Sequence, residues 1–319
     1  MAKKIDNLSW KCMWTTHIGC IKGCLDFLGI KVSDGWLFGA SGHAFIINLH
    51  EVVCPSGPTA WNTEMLLKLS KNVGCVIEGI SVTKRDADFA ELQKQAWEST
   101  RKALDDDTPC YGWELDIPEY YVVYGYDDVG YYFSGPKCDG GKGPKPWQEL
   151  GDSDIGFLEM FTVKPGKSAD NIKTVKEALT FALEHSKDKD KWTYPKYKTG
   201  SAGYDNWIKA LEEGKADGFG MAYNSAVWSE CRHHSVEFLK EAKERVGGKA
   251  GTAFEEAIGH YQQVAENLKK VADTFPFLGL EPEHIADEAR INTGLECLRK
   301  ARSSEEAGLK ALEGILSEL

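Results

Sequence analysis

The chain has 319 residues, 42% hydrophobic and 27% charged, with 38 Lys and Arg against 49 Asp and Glu for a formal net charge of -11. That is enough chain for one large or two ordinary cores. The acidic balance, shared by both halves, and the lack of a Lys/Arg stripe interleaved with aromatics argue against nucleic acid or an anionic membrane surface as a partner.

The N-terminus MAKKIDNLSWKCMW lacks the apolar stretch of a signal peptide, and no apolar run approaches the roughly 18 residues of a membrane helix. A cytoplasmic protein is expected. Thr15 or Thr16 can cap a helix from about His17 to Leu28, stopped by Gly29. After the loop Gly39 to Gly42, His43 to His50 reads as a strand, and the turn Cys54 to Pro58 leads into a helix near Thr63 to Ser70. Val73 to Val82 is strand-like and Asp86 to Leu104 a long amphipathic helix. Cys110 to Asp116 precedes a hairpin in which Tyr120 to Tyr126 is a β-branched and aromatic run, Asp127 to Gly130 is turn chemistry and Tyr131 to Phe133 returns. Lys137 to Pro146 reads as a loop before a last strand at Gly156 to Val163.

From Ser168 onward the signals are helical: Asn171 to His185, Tyr204 to Glu213, Ala216 to Val246, Thr252 to Phe275, Glu283 to Lys300 and Ser304 to Leu319. Ile258, Tyr261, Val264, Leu268 and Val271 fall at helical spacing, as in a packed bundle. The fold class expected is α+β: residues 1–166 form a domain with an N-terminal helix and an antiparallel sheet, and residues 167–319 an all-α helical bundle. Self-association, if it occurs, would run through the helical half.

Nine cysteines, an odd number in mostly apolar or helical contexts, do not suggest a disulfide framework. His17, Cys20 and Cys24 share one stripe of the first helix, which could donate metal ligands or present a reactive Cys20, or could face the core. The packed-thiol reading fits this helix-borne spacing better than a metal centre does, so neither a metal nor a cofactor is expected. His43, just after a flexible loop, suits a base or a ligand-orienting group as well as a backbone-satisfied role, with Cys54 and Trp61 nearby in sequence. In the helical half, His233 and His234 are adjacent and are expected to point to different sides, whereas Trp228, Cys231 and Ser235 share a face suited to packing.

Three features resemble the papain-like cysteine peptidase superfamily, in particular the N-terminal domain of butirosin biosynthesis protein H and the bacteriocin-processing peptidases. They are Leu25-Asp26-Phe27-Leu28-Gly29 ending the first helix, Phe38-Gly39 with Gly42, and Val122-Val123-Tyr124-Gly125-Tyr126-Asp127-Asp128 followed by Ser134-Gly135-Pro136. The resemblance spans roughly residues 10 to 165 and implies a papain-like fold. It also implies a nucleophilic cysteine thirteen residues before the helix-ending glycine, where this chain has Thr16, and a histidine six residues before the hairpin glycine, where it has Glu119. A third, orienting Asp or Asn would fall at Gly135. All three positions depart from the pattern, and a threonine facing a glutamate has neither the acidity nor the tuned acid of a thiol–imidazole pair.

The resulting expectation is a remodelled cleft that binds a small-molecule or peptide-like ligand without peptidase chemistry, lined by Trp14, Thr16, Glu114, Glu119, Tyr121, Cys54 and Trp61. Its carboxylates would favour a cationic ligand. The alternative is an acyltransferase or amide hydrolase using Cys20 with His17 or His43, and a third reading is an interaction protein assembled through its helices.

Overall fold

A computed structural model describes residues 2–138, 140–187, 189–279 and 281–319. In chain order the first elements are β1 (Lys3–Lys4), α1 (Thr16–Phe27), α2 (Asp34–Ala40), β2 (Asn48–His50), α3 (Glu64–Leu69), β3 (Cys75–Thr83) and α4 (Phe89–Asp105). The strands β4 (Cys110–Trp113), β5 (Tyr120–Tyr126), β6 (Gly130–Ser134), β7 (Lys142–Pro146) and β8 (Phe157–Pro165) follow. Then come α5 (Asn171–Lys187), α6 (Lys189–Trp192), β9 (Tyr197–Thr199), α7 (Gly200–Glu212), α8 (Gly218–Arg245), α9 (Gly251–Thr274) and α10 (Glu288–Glu318). No helix among the described residues is long and apolar enough to cross a membrane.

The chain forms two compact units: Met1–Val32 with Gly74–Ser168, and Ser33–Val73 with Ala169–Leu319. The change to helical sequence near residue 167 coincides with one boundary, but Ser33–Val73 joins the helical unit rather than its sequence neighbours.

The first unit is built on an antiparallel sheet in the order β3-β8-β4-β5-β6-β7, with β1 on the end of β5. β3 pairs with β8 along its whole length, from Cys75 opposite Pro165 to Thr83 opposite Phe157. The β5–β6 hairpin closes on Asp127, whose Oδ1 accepts from the amides of Val129 at 2.8 Å and Gly130 at 3.1 Å, the local bond that makes Asp a turn residue. α4 buries Gln93, Ala96, Trp97, Thr100 and Leu104, one stripe at helical spacing. The segment expected as a loop before the last strand contains β7, at the sheet edge. Its prolines disguised it; an edge strand tolerates a missing N–H that a central strand does not.

The second unit is dominated by α9, with α8 and α10 each packed on it. The two expected C-terminal helices are one, α10. The expected strand from His43 to His50 is reduced to β2, paired with β9, and residues His43–Phe45 form a 3₁₀ turn. The backbone there is diverted to a buried cation. Arg232, fully buried on α8, donates to the carbonyls of Ala44 at 2.8 Å, Ile46 at 2.9 Å and Phe45 at 3.3 Å. Its remaining bonds go to Glu305 of α10, at 2.7 Å from Nε and 3.0 Å from an Nη. Tyr204 of α7 adds a hydroxyl donor to the same carboxylate at 3.1 Å.

A guanidinium has five N–H donors, and these five bonds can use them all. Removing one member of such a pair strands the other charge in the interior, at about 3–5 kcal/mol. Arg232→Met is therefore expected to lower the unfolding free energy by about 3–5 kcal/mol in urea denaturation; a loss below about 1 kcal/mol, the ordinary size of an exposed pair, would contradict this role.

Candidate functional site

The two positions singled out by the resemblance lie against each other within the first unit. Thr16 is the first residue of α1, and its Oγ1 donates to Glu119 Oε2 at 2.5 Å while accepting from the Tyr120 amide at 3.2 Å. Neither Thr15 nor Thr16 caps the helix as expected: Thr15 occupies the cap position without a side-chain capping bond, and the Thr16 hydroxyl is used to tie α1 to β5. Both partners are buried, Thr16 at 7% and Glu119 at 8% exposure. Glu119 is aimed by a short hydrogen-bonded connection in which its amide donates to the Ile117 carbonyl at 2.6 Å and its carbonyl accepts from the Glu114 amide at 2.8 Å. This sets a carboxylate beside the first turn of α1, where the exposed N–H groups and the helix dipole favour negative charge.

The third position, Gly135, is constrained by Tyr121. A Cβ on Gly135 would fall 2.4 Å from a carbon of the Tyr121 ring, so no Asp or Asn fits there without moving that ring. Tyr121 is itself buried, with its hydroxyl accepting from the Ile117 amide at 3.2 Å. It packs behind the connection instead of forming an open wall. Glu114, in a left-handed conformation at φ 57, accepts from Ser153 at 2.8 Å, and burial raises its pKa. Trp14 is 37% exposed.

His17 and Cys20 have the surroundings of core residues. His17 Nε2 lies 2.9 Å from the Tyr111 hydroxyl, and its ring stacks on Tyr120 at 3.9 Å. Tyr120 in turn donates to Glu159 at 2.5 Å. Cys20 has no exposed surface, and burial, with Cys24 and Glu119 adding to it, pushes its thiol well above the usual range. A nucleophilic thiol needs the opposite: access, and a neighbour that favours the thiolate.

His43, Cys54 and Trp61 belong to the second unit. His43 Nδ1 lies 3.6 Å from Cys231 Sγ, a cysteine–histidine contact that sequence spacing gave no means of finding. Burial lowers the His43 pKa to about 4. The imidazole is thus neutral near pH 7 and does not supply the positive charge that stabilises a thiolate. Trp228, Cys231 and Ser235 are buried, as the packing reading expects. Trp61 is a core side chain whose indole N–H donates to the Pro58 carbonyl at 2.9 Å, edge-on to His43 and His185. Cys54, partly buried, accepts from Ser56 at 2.9 Å.

A groove of about 310 Å³ in the first unit borders the same connection that carries Glu119. Pro144 and Pro146 give it apolar surface, over the buried side chains of Leu115 and Phe133. Its charged groups form the ion pairs Lys142–Asp116 at 2.6 Å and Lys145–Glu149 at 3.3 Å. The sequence reading missed this groove because it depends on β7. No family model and no curated protein matches the chain.

His43 and His185 set an acid limit on the fold. His185 Nε2 is buried without a hydrogen-bond partner, and burial lowers its pKa to about 3, with His43 and Arg232 reinforcing the shift. Both folded values lie below the ordinary 6.5, so the unfolded chain binds more protons between there and about pH 4, and stability falls with pH across that window. From pH 7 to 5.5 each histidine should cost about 1.2 kcal/mol of unfolding free energy. His185→Phe, measured by urea denaturation at the two pH values, should remove about half of the combined loss; an unchanged pH dependence would refute the assignment.

Proposed function

We propose that this protein is a papain-like fold member that has lost thiol chemistry and binds a small or peptide-like ligand in the groove beside the former reaction centre. The observation that carries the first part is the 2.5 Å bond from Thr16 to Glu119. In a cysteine peptidase of this type, the helix N-terminus favours a thiolate and an imidazole on the facing strand holds the proton. In this chain the two positions that the resemblance matches to that pair carry a hydroxyl and a carboxylate that satisfy each other. The hydroxyl is a poor nucleophile without a base of suitable strength, and the carboxylate is already engaged as its hydrogen-bond acceptor.

The ligand part of the reading rests on the groove. A small apolar surface from two prolines, lined as well by two cation–anion pairs, is suited to a short peptide or another small molecule bearing both charges. Such a ligand would exchange its own charges for the Lys142–Asp116 and Lys145–Glu149 pairs. The purely cationic ligand expected from the sequence has less support, since Glu114 and Glu119 are each engaged by a hydroxyl.

Restoring the family's pair tests the lineage. In a Cys12→Ser background, which removes the exposed thiol, the double variant Thr16→Cys/Glu119→His should be alkylated by iodoacetamide at pH 6.5 at least ten times faster than Thr16→Cys alone. Equal rates would mean that the two positions do not hold dyad geometry. Binding is tested separately with a library of di- and tripeptides and heteronuclear NMR. Shifts should cluster at Leu115, Asp116, Phe133 and Lys145 and be lost in Lys142→Ala; a library that perturbs none of them would overturn the ligand assignment.

A further inference from the structure

We propose that His233, His234 and Glu237 on α8 form a binding site for a divalent transition-metal cation of the zinc or nickel type. The two histidines are adjacent, and the expectation that they point to different sides is corrected by what lies one turn further on. At 100° per residue, positions 233 and 234 sit 100° apart around the helix, and position 237 falls between them. Glu237 accordingly meets both: its Oε2 lies 2.7 Å from His234 Nδ1 and its Oε1 3.4 Å from His233 Nε2. One ligand atom from each of the three residues can be chosen so that all lie within 4.8 Å of one another.

Those spacings suit coordination. Metal bonds of about 2.0–2.2 Å to imidazole nitrogen and carboxylate oxygen place neighbouring ligand atoms about 3–3.5 Å apart. Small side-chain rotations would bring the three atoms to that separation. Two imidazoles and a carboxylate are a donor set of intermediate softness, suited to zinc or nickel more than to calcium or magnesium. Such a set leaves further coordination positions for water or an exogenous ligand.

Packing from α2, within the same unit, restrains two of the three ligands. The His234 ring stacks on Phe38 at 4.2 Å and 25°, and its side chain is only 13% exposed. Glu237 is backed by Gly35, where a Cβ would come 2.6 Å from the Glu237 Cβ, so the helices approach at the position that lacks a side chain. His233 is open to solvent at 67% and supplies the mobile ligand that can close on an arriving cation. One packed imidazole, a carboxylate anchored at its Cβ and one flexible arm lower the ordering cost of binding.

Titration of the full chain with Zn2+, followed through the imidazole resonances in heteronuclear NMR, tests the site. The signals of His233 and His234 should move together in one saturable step, and Zn2+ should raise the thermal midpoint. His233→Ala and Glu237→Gln change exposed groups, so each should weaken binding at least ten-fold while leaving the metal-free midpoint nearly unchanged. Movement of cysteine signals alone, of neither histidine, or affinity unaffected by both substitutions would overturn the site. A pair that only exchanges protons with Glu237 would give that last result.

Discussion

The helical unit depends on the buried ion pair between Arg232 and Glu305. Both side chains are fully enclosed, and their bonds draw together α8, α10, α7 through Tyr204, and the irregular backbone from Ala44 to Ile46. An ion pair of this kind contributes little net stability, since desolvation offsets most of its attraction. Its effect is on specificity: three carbonyls in a non-repeating turn are costly to bury unpaired, and the guanidinium satisfies all three at once. That is a physical reason for Ser33–Val73 to fold with the helices. Around it, neutral His43 and His185 are packed among Trp61, Phe181 and Trp192, in a core that loses stability as those rings gain protons.

In the sheet-bearing unit the comparable constraint is the bond between Thr16 and Glu119. It fixes the start of α1 against the start of β5, and it places negative charge at the helix end where backbone N–H groups have no helical partner. The residues around it form a consistent set. Glu119 is engaged by the hydrogen bond that the Thr16 hydroxyl donates, and Tyr121 fills the space above Gly135. Cys20, one turn deeper, is enclosed and held as a thiol. The nearby groove owes its walls to β7 and the β4–β5 connection, and so does not depend on the bond between Thr16 and Glu119.

Local signals in the sequence were read well where one element contained the whole cause. The hairpin at Asp127, the amphipathic stripe of α4 and the long helices of the second half each carry their own turn chemistry or periodicity. The pairing of Thr16 with Glu119 was also legible, through two short counts from glycines in recognisable motifs. The reading failed where a distant group decided the backbone. His43–Phe45 is apolar enough for a strand, but its neighbouring carbonyls are claimed by a residue almost 190 positions away. β7 failed for the converse reason: its prolines are poor strand formers anywhere except at an edge, and the edge is a property of the assembled sheet. The cluster at His233 was within reach of helical geometry, since comparing the histidines with Glu237 instead of with each other brings all three together.

The sequence by itself determined the two kinds of architecture, the hairpin, and the identity of the residues at the expected reaction centre, because these follow from local propensity, spacing and residue type. Only the tertiary structure decided that Cys20 and His43 are enclosed, that Arg232 holds the turn after Gly42, and that Ser33–Val73 belongs with the helices. Burial and long-range hydrogen bonding set those outcomes. Both depend on which distant groups exclude water from a site, and neither is written in the residues around it.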